Sequence, residues 1–410
     1  MLPAQSFRMM RVFKLWPLLL VLSPAASAQI PPPVIPEGVG VNIHFVKDHN
    51  EDLDKIAAAG FKFIRMDFDW QPTEPTPGKY DWSIYDGLTT RLEKHGLRAI
   101  YILDYTHSAY EPKVASRGAL EPHSPEWHTA SPRHPESVAA YARWAAAAAK
   151  HFKKDHIIWE IYNEPNGDFW KPHPNADEYA ALALAAAKAI RQGERHATII
   201  GPAMAGFEWP FIETCLKSGV LEYIDAVSVH PYRNPKSPPE TASKDYKKLR
   251  AMIDQYAPKS RQGKIPILSG EWGYSSHTGG ISIENQAAYA VRQQLSNLLN
   301  GVPLSIWYDW KNDGEDPAEN EQNFGTVNSD LSPKPAYIAL QEMTRELAGY
   351  KIQRRLDSYG EKDFVLLLTK PHAPDKIAAW TTGEPHAIQL TEKKMDLELG
   401  AMPKYINLPP

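Results

Sequence analysis

Two glutamates stand out because of the residues in front of them. Glu164 closes the run Ile157-Ile158-Trp159-Glu160-Ile161-Tyr162-Asn163 and is followed by Pro165, which stops a strand. Glu271 closes Ile265-Pro266-Ile267-Leu268-Ser269-Gly270 and precedes Trp272-Gly273. A carboxylate at the end of an apolar strand is poorly solvated unless something uses its charge. A loop cap or an arginine pair explains one such glutamate better than two. Two facing carboxyl groups can divide the cleavage of an acetal such as a glycosidic bond. One protonates the leaving oxygen while the other stabilises the cationic carbon from the opposite side. A separation of about 5 Å permits direct attack with retention, and a wider gap admits water and gives inversion.

Such a pair needs a frame that brings distant segments together. After the stiff lead-in of Pro31, Pro32, Pro33 and Pro36, apolar β-rich runs alternate with helical patterns through eight cycles. Strands are expected at 39–45, 61–68, 98–105, 157–163, 198–203, 226–230, 265–270 and 304–308. Most are nearly continuous apolar runs, the pattern of parallel strands covered on both faces. Helical segments at 51–59, 83–95, 176–192 and 284–300 stop at Gly60, Gly96, Gly193 and Gly301. The alanine-rich segment 136–152 reads as a helix on the exterior. Alternation of this kind builds a closed barrel or an open doubly wound sheet. No Gly-x-Gly-x-x-Gly turn follows the first strand, and eight cycles in roughly 310 residues suit the barrel. The expectation is an α/β chain with a (β/α)8 TIM barrel, in which Glu164 and Glu271 end strands four and seven across the mouth.

Beyond the helix at 334–347 the pattern changes to short strands at 352–357, 364–369, 376–382, 386–390 and 404–408. This tail reads as a small β-sandwich, a stabilising appendage with a single tryptophan, Trp380. The N-terminus reads as a targeting segment. Arg8, Arg11 and Lys14 precede an apolar run at 15–22, and Pro24 and Ala26-Ser27-Ala28 lead to a cleavage point before Gln29. That run is about half of the ~20 residues needed to cross a bilayer, so no stable membrane insertion is expected after cleavage. The expected organisation is a leader at 1–28, a barrel at 29–348 and a sandwich at 349–410, in a periplasmic or secreted protein. Cys215, the sole cysteine of the 410 residues, allows no intrachain disulfide and reads as a buried small hydrophobe. A net charge of −4 without a basic stripe argues against a nucleic-acid partner.

The segment Trp159-Glu160-Ile161-Tyr162-Asn163-Glu164-Pro165-Asn166 resembles the Asn-Glu-Pro signature of glycoside hydrolase clan A, close to family thirty-nine and its family-five relatives. The resemblance spans the barrel. Arg65 matches the clan's arginine on strand two, His230-Pro231-Tyr232 its His-x-Tyr on strand six, and Glu271 its nucleophile on strand seven. Trp307-Tyr308-Asp309-Trp310 matches the aromatic end of strand eight. The likeness extends to biofilm-polysaccharide hydrolases of the Psl type. It implies a retaining mechanism with Glu164 as acid/base and Glu271 as nucleophile. Arg65 and a Tyr232 hydroxyl would hold Glu271, and Asn163 would donate to the sugar 2-hydroxyl. His230 would bond either the acid/base or the sugar. Glu271 across the cleft would raise the pKa of Glu164.

Trp70, Trp127, Trp170, Trp272 and Trp310 fall near expected strand ends, where they could stack on sugar faces, as could Trp307. The segment 105–135 carries Glu111, Glu121, His123, His128 and His134, spaced too loosely for zinc, and reads as a cleft wall. The chemistry requires neither metal nor organic cofactor. The expected partner is a β-linked oligosaccharide or polysaccharide, with an exopolysaccharide among the candidates, and oligomeric state stays open. A transglycosylase of the same fold and a non-catalytic sugar-binding barrel are the competing readings. The presence of both Glu164 and Glu271 counts against the second.

Overall fold

A computed structural model describes residues 30–117, 125–356, 359–391 and 394–409. The expected leader and its cleavage point lie outside these residues, as do Glu121 and His123.

The first three strands are β1 (Val39–Asn42), β2 (Phe63–Asp69) and β3 (Arg98–Asp104). A hairpin follows, β4 (Lys113–Arg117) with β5 (Pro125–Thr129). Then come β6 (Ile158–Ile161), β7 (Thr198–Ala205), β8 (Ala226–His230), β9 (Ile267–Trp272) and β10 (Ser305–Trp307). Among the described residues, eight strands close in the order β1-β10-β9-β8-β7-β6-β3-β2, every pair parallel. These are the eight strands read from the sequence, so β6 and β9 are strands four and seven of a (β/α)8 barrel.

The outer layer contains α1 (Asn50–Ala58), α2 (Trp70–Thr73), α3 (Ser83–Lys94), α4 (Pro135–His151) and α5 (Ala176–Gly193). After these come α6 (Trp209–Lys217), α7 (Ser243–Tyr256), α8 (Ile283–Leu299) and α9 (Pro335–Glu346). Gly96 and Gly301 follow their helices at φ 68° and 72°, as a left-handed terminal residue requires. Gly193 does not: it is the last helical residue of α5, and the chain leaves through extended Glu194 instead. Cys215 is buried in α6, as expected. Among the described residues, no helix is long and apolar enough to cross a membrane.

Side-chain alternation explains how the barrel interior is divided. Phe63, Ile100, Ile158, Ile200, Ala226, Leu268, Leu304 and Ile306 form one buried apolar plug inside the ring. Residues two further along a strand point the same way, one layer nearer the C-terminal mouth. On β2 that next residue is Arg65, and on β6 it is Glu160. The plug therefore forms a dry floor beneath a charged layer.

The tail forms two sheets around a shared apolar cluster that includes Leu356, Val365, Ile377, Leu390 and Leu397. One sheet contains β11 (Lys351–Arg355), β12 (Asp363–Thr369), β13 (Lys376–Thr381) and, last in the chain, β16 (Lys404–Asn407). The other pairs β14 (His386–Leu390) with β15 (Met395–Leu399). The strand at 395–399 is absent from the sequence reading because its alternation, Met-Asp-Leu-Glu-Leu, is short and acidic. Trp380 is fully buried, stacked on Phe364, and its Nε1 donates to Glu240 Oε1 at 2.7 Å. Glu240 also accepts two 2.8 Å hydrogen bonds from Arg292 of α8. The tail's tryptophan is thus spent on docking to the barrel. Arg292→Met leaves a buried carboxylate without its counterion and should cost about 3 kcal/mol in a urea titration. Trp380→Phe keeps the ring and removes one donor, at about 1 kcal/mol. Equal losses from the two variants would contradict this account of the joint.

Candidate active site

Arg65 lies inside the barrel at 1% exposure, where a lone guanidinium would be very unfavourable. It is saturated instead. Nε donates to Glu160 Oε2 at 2.6 Å, and Nη1 donates to Glu271 Oε2 at 2.7 Å and Asn42 Oδ1 at 3.3 Å. Nη2 donates to Asn163 Oδ1 at 2.8 Å and lies 3.2 Å from His230 Nε2. Burial works to lower the pKa of Arg65, and the charges of Glu160 and Glu271 reverse this and push it above its ordinary value. One side chain thereby ties β1, β6, β8 and β9 to β2.

Glu160 is the partner that sequence reasoning missed. It is fully buried and takes a second hydrogen bond, from the Ser228 hydroxyl. The signal was a charge in the middle of the apolar run 157–161. Gly270 makes this contact possible, because a Cβ there would sit 2.3 Å from Ser228 Oγ and 2.9 Å from Glu160 Oε1.

Glu271 has its second oxygen, Oε1, 2.7 Å from the Tyr232 hydroxyl. Burial and the Glu271 charge push the Tyr232 phenol well above its ordinary pKa, so the hydroxyl keeps its proton and donates. Both oxygens of Glu271 therefore accept from a fixed donor. Glu164 follows β6 through left-handed backbone at Tyr162 (φ 66°) and at Glu164 itself (φ 44°). Such conformations are strained for residues with a side chain and cluster at functional sites. Here they turn the carboxyl toward the barrel mouth, and Glu164 Oε1 lies 2.8 Å from His230 Nδ1.

The protonation of His230 follows from its neighbours. Arg65 Nη2 can only donate, so Nε2 accepts and the ring proton sits on Nδ1, donating to Glu164. This resolves the alternative left open by sequence: His230 contacts the carboxyl group. It also corrects an expectation about Glu164. Burial acts to raise its pKa, but the hydrogen bond and field of His230 and the charge of Arg65 outweigh burial and hold it below its ordinary value.

One oxygen of Glu164 and one of Glu271 lie within 4.8 Å of each other, with His230 between them. The same spacing would suit a cation, yet Arg65 and Tyr232 already occupy both oxygens of Glu271, and a guanidinium 2.7 Å away repels one. His44, Asp309 and Asp313 are a second group so spaced, and His44 Nε2 already faces Asp309 Oδ2 at 3.4 Å.

The two glutamates open into a cavity of about 570 Å³, also lined by Arg65, Asn163 and Tyr232. Its aromatic surface differs from expectation. Trp70, Trp170, Trp272, Trp307 and Trp310 are all buried at 1% exposure or less, and none lines the cavity. Their indole N–H groups explain part of this, since Trp307 donates to the Phe324 carbonyl and Trp310 to Asp52 beneath the surface. The expected sugar contacts of Trp272, Trp307 and Trp310 are therefore corrected to core packing. Trp127, on the β4–β5 hairpin, is 67% exposed, but it too is away from the cavity lining. The aromatic walls are instead Tyr105 stacked on Phe169 at 5.4 Å on one side and Tyr308 against Phe324 on the other. In the segment 105–135, Glu111 accepts from the Arg133 and His134 backbones and the Ser137 hydroxyl, pinning the start of α4. Its role is structural.

The cellulase family profile (glycosyl hydrolase family 5) matches residues 33–314. A β-xylosidase of Caldicellulosiruptor saccharolyticus is 23% identical over 274 residues, 58% of this chain and 55% of that protein. A β-xylosidase of Geobacillus stearothermophilus is 31% identical over 145 residues, 28% of each chain. The chain thus spans about half or less of these curated relatives. In structure it is similar to a family 39 glycoside hydrolase from Bacteroides cellulosilyticus WH2, with a TM-score of 0.73 and 24% identity over 93% of this chain and 82% of that one. A family 39 β-xylosidase from Caulobacter crescentus superimposes with a TM-score of 0.63 and 20% identity, covering 90% and 82%. These likenesses confirm the fold.

The arrangement around Glu164 makes a titration prediction. A carboxyl with a donor releases its proton at lower pH, so His230→Ala should move the Glu164 carboxyl-carbon titration upward by about 1 unit. Carbon-13 spectra of glutamate-labelled protein follow it, and a downward or absent shift would contradict the hydrogen-bond account.

Proposed function

Because the chain belongs to the cellulase family, glycosyl hydrolase family 5, we propose that it is a glycoside hydrolase that cleaves β-glycosidic bonds with retention of configuration. The observation that carries this reading is the Glu164–Glu271 pair, facing each other across one cavity within 4.8 Å. That gap supports direct attack on an anomeric carbon better than attack through an intervening water.

Glu271 is the nucleophile. Arg65 and Tyr232 each donate to one of its oxygens and so hold it aimed. Glu164 is the acid/base. Its protonated form gives the proton to the leaving oxygen while Glu271 Oε attacks carbon 1. Water then gives its proton to Glu164 and displaces Glu271 from that carbon, which restores both groups. Asn163 has its carbonyl oxygen fixed on Arg65, so its NH2 group is presented on the cavity side, where it also meets the Tyr105 hydroxyl at 3.2 Å. That orientation supports donation to the sugar 2-hydroxyl. The low pKa of Glu164 in the free protein implies that kcat/KM falls as pH rises out of the acid range. Aryl β-xylosides are the first substrates to try, since the curated relatives bear the name β-xylosidase.

Glu164→Gln should lower kcat/KM about 10²- to 10⁴-fold on a substrate whose leaving group needs protonation. The loss should be much smaller on a dinitrophenyl glycoside, which leaves without help. Glu271→Gln should abolish turnover of both. Proton spectra of the first product should show the β-anomer. An α-anomer, or full activity in Glu271→Gln, would refute the mechanism.

A further inference from the structure

Two acids beside the catalytic pair, Asp104 buried and Asp67 on the cavity wall, have no part in the mechanism above. Phe63, Arg65 and Asp67 share the inward face of β2, and Ile100, Ile102 and Asp104 share that of β3. At about 3.3 Å per residue, Asp67 stands some 7 Å nearer the mouth than Arg65. It lines the cavity there, one layer above the anchor of Glu271.

Asp104 is fully buried at the end of β3, and neither of its oxygens meets an N–H or O–H donor of another residue. Its side-chain neighbour is the carboxyl of Asp67, within hydrogen-bonding range. Two carboxyl groups that close must share a proton, since both cannot remain charged in contact. Burial, reinforced by the charge of Asp67, places that proton on Asp104. Asp104 therefore donates to Asp67 and points it, leaving Asp67 as an acceptor toward the cavity.

Glu164, Glu271 and Glu321 line the same space. Among the described residues lining it, Arg65 alone carries a guanidinium or ammonium group, and all three of its nitrogens are engaged. A sugar bearing its own carboxylate would meet Asp67 with no free guanidinium or ammonium group to receive it, and the His44 imidazole that also lines the cavity already faces Asp309 Oδ2 at 3.4 Å. A neutral sugar would find an acceptor for its hydroxyl groups.

We propose that Asp67, positioned by Asp104, reads the sugar bound in the cavity and makes the site select neutral β-glycosides over uronides. This rests on the glycosidase reading. The test compares kcat/KM for 4-nitrophenyl β-D-xyloside, β-D-glucoside and β-D-galactoside with the glucuronide and galacturonide. The wild-type protein should favour the best neutral substrate over its uronide at least 100-fold. Asp67→Asn should raise the uronide-to-neutral ratio at least tenfold. Asp104→Asn, whose amide N–H replaces the acid O–H, should keep the wild-type ratio within threefold, whereas Asp104→Leu should relax it. Wild-type protein that hydrolyses uronides as fast as neutral glycosides would overturn this proposal alone, as would a ratio unmoved by Asp67→Asn. Hydrolysis of none of the five would overturn the glycosidase reading and this proposal with it.

Discussion

A guanidinium buried inside the barrel is the constraint on which the rest of this structure depends. Taking such a charge out of water costs several kcal/mol even after relaxation, and the cost is offset only when every donor finds a well-placed acceptor. Arg65 meets that condition with Asn42, Glu160, Asn163, His230 and Glu271, drawn from β1, β6, β8, β9 and the turn after β6. Any slip in strand register would leave a charge unpaired. The requirement that keeps Arg65 satisfied therefore also fixes Asn163, His230 and Glu271 relative to one another. Glu164 is positioned one step out, through His230. Electrostatic preorganisation of this kind is the dominant contribution in many enzymes, because the groups need not move as charge develops.

The layering beneath it makes the constraint effective. The apolar plug from Phe63 to Ile306 keeps water from below, so the interactions above it act in a poorly screened medium. Glu160 and Glu271 then differ in role because they differ in depth. Glu160 is sealed between Arg65 and Ser228 and acts as a permanent counterion. Glu271 shares the same guanidinium but borders the cavity, so its charge is available for chemistry. Asp67 stands one layer higher still, on the cavity wall, where among the described residues no free guanidinium or ammonium group meets it.

The eight strands and both glutamates were legible in the sequence because burial on two faces leaves a strong apolar signal, and a carboxylate interrupting its end is conspicuous. The clan A resemblance placed Arg65, His230 and Tyr232 around the glutamates, and the geometry agrees. What stayed hidden depended on direction rather than residue type. Trp272, Trp307 and Trp310 sit near strand ends as expected, but half of the positions there face the helices, and large rings fill that layer. Tyr105, Phe169 and Phe324 come from loops whose paths no periodicity encodes. The lowered pKa of Glu164 was misjudged because the donor proton on His230 Nδ1 depends on Arg65 occupying Nε2. Asp104 carried no signal as the last residue of an apolar strand, although Glu164 and Glu271 stood out in equivalent settings.

The central claim is that Glu271, held by Arg65, bonds covalently to the sugar. Incubation with a 2,4-dinitrophenyl 2-deoxy-2-fluoro-β-glycoside slows the second step more than the first and should trap the ester. Mass spectrometry of the proteolysed protein should then find one fluorosugar per chain, on the peptide containing Glu271 and on that residue. A label on Glu164, or stoichiometric dinitrophenol release with no labelled peptide, would contradict the account.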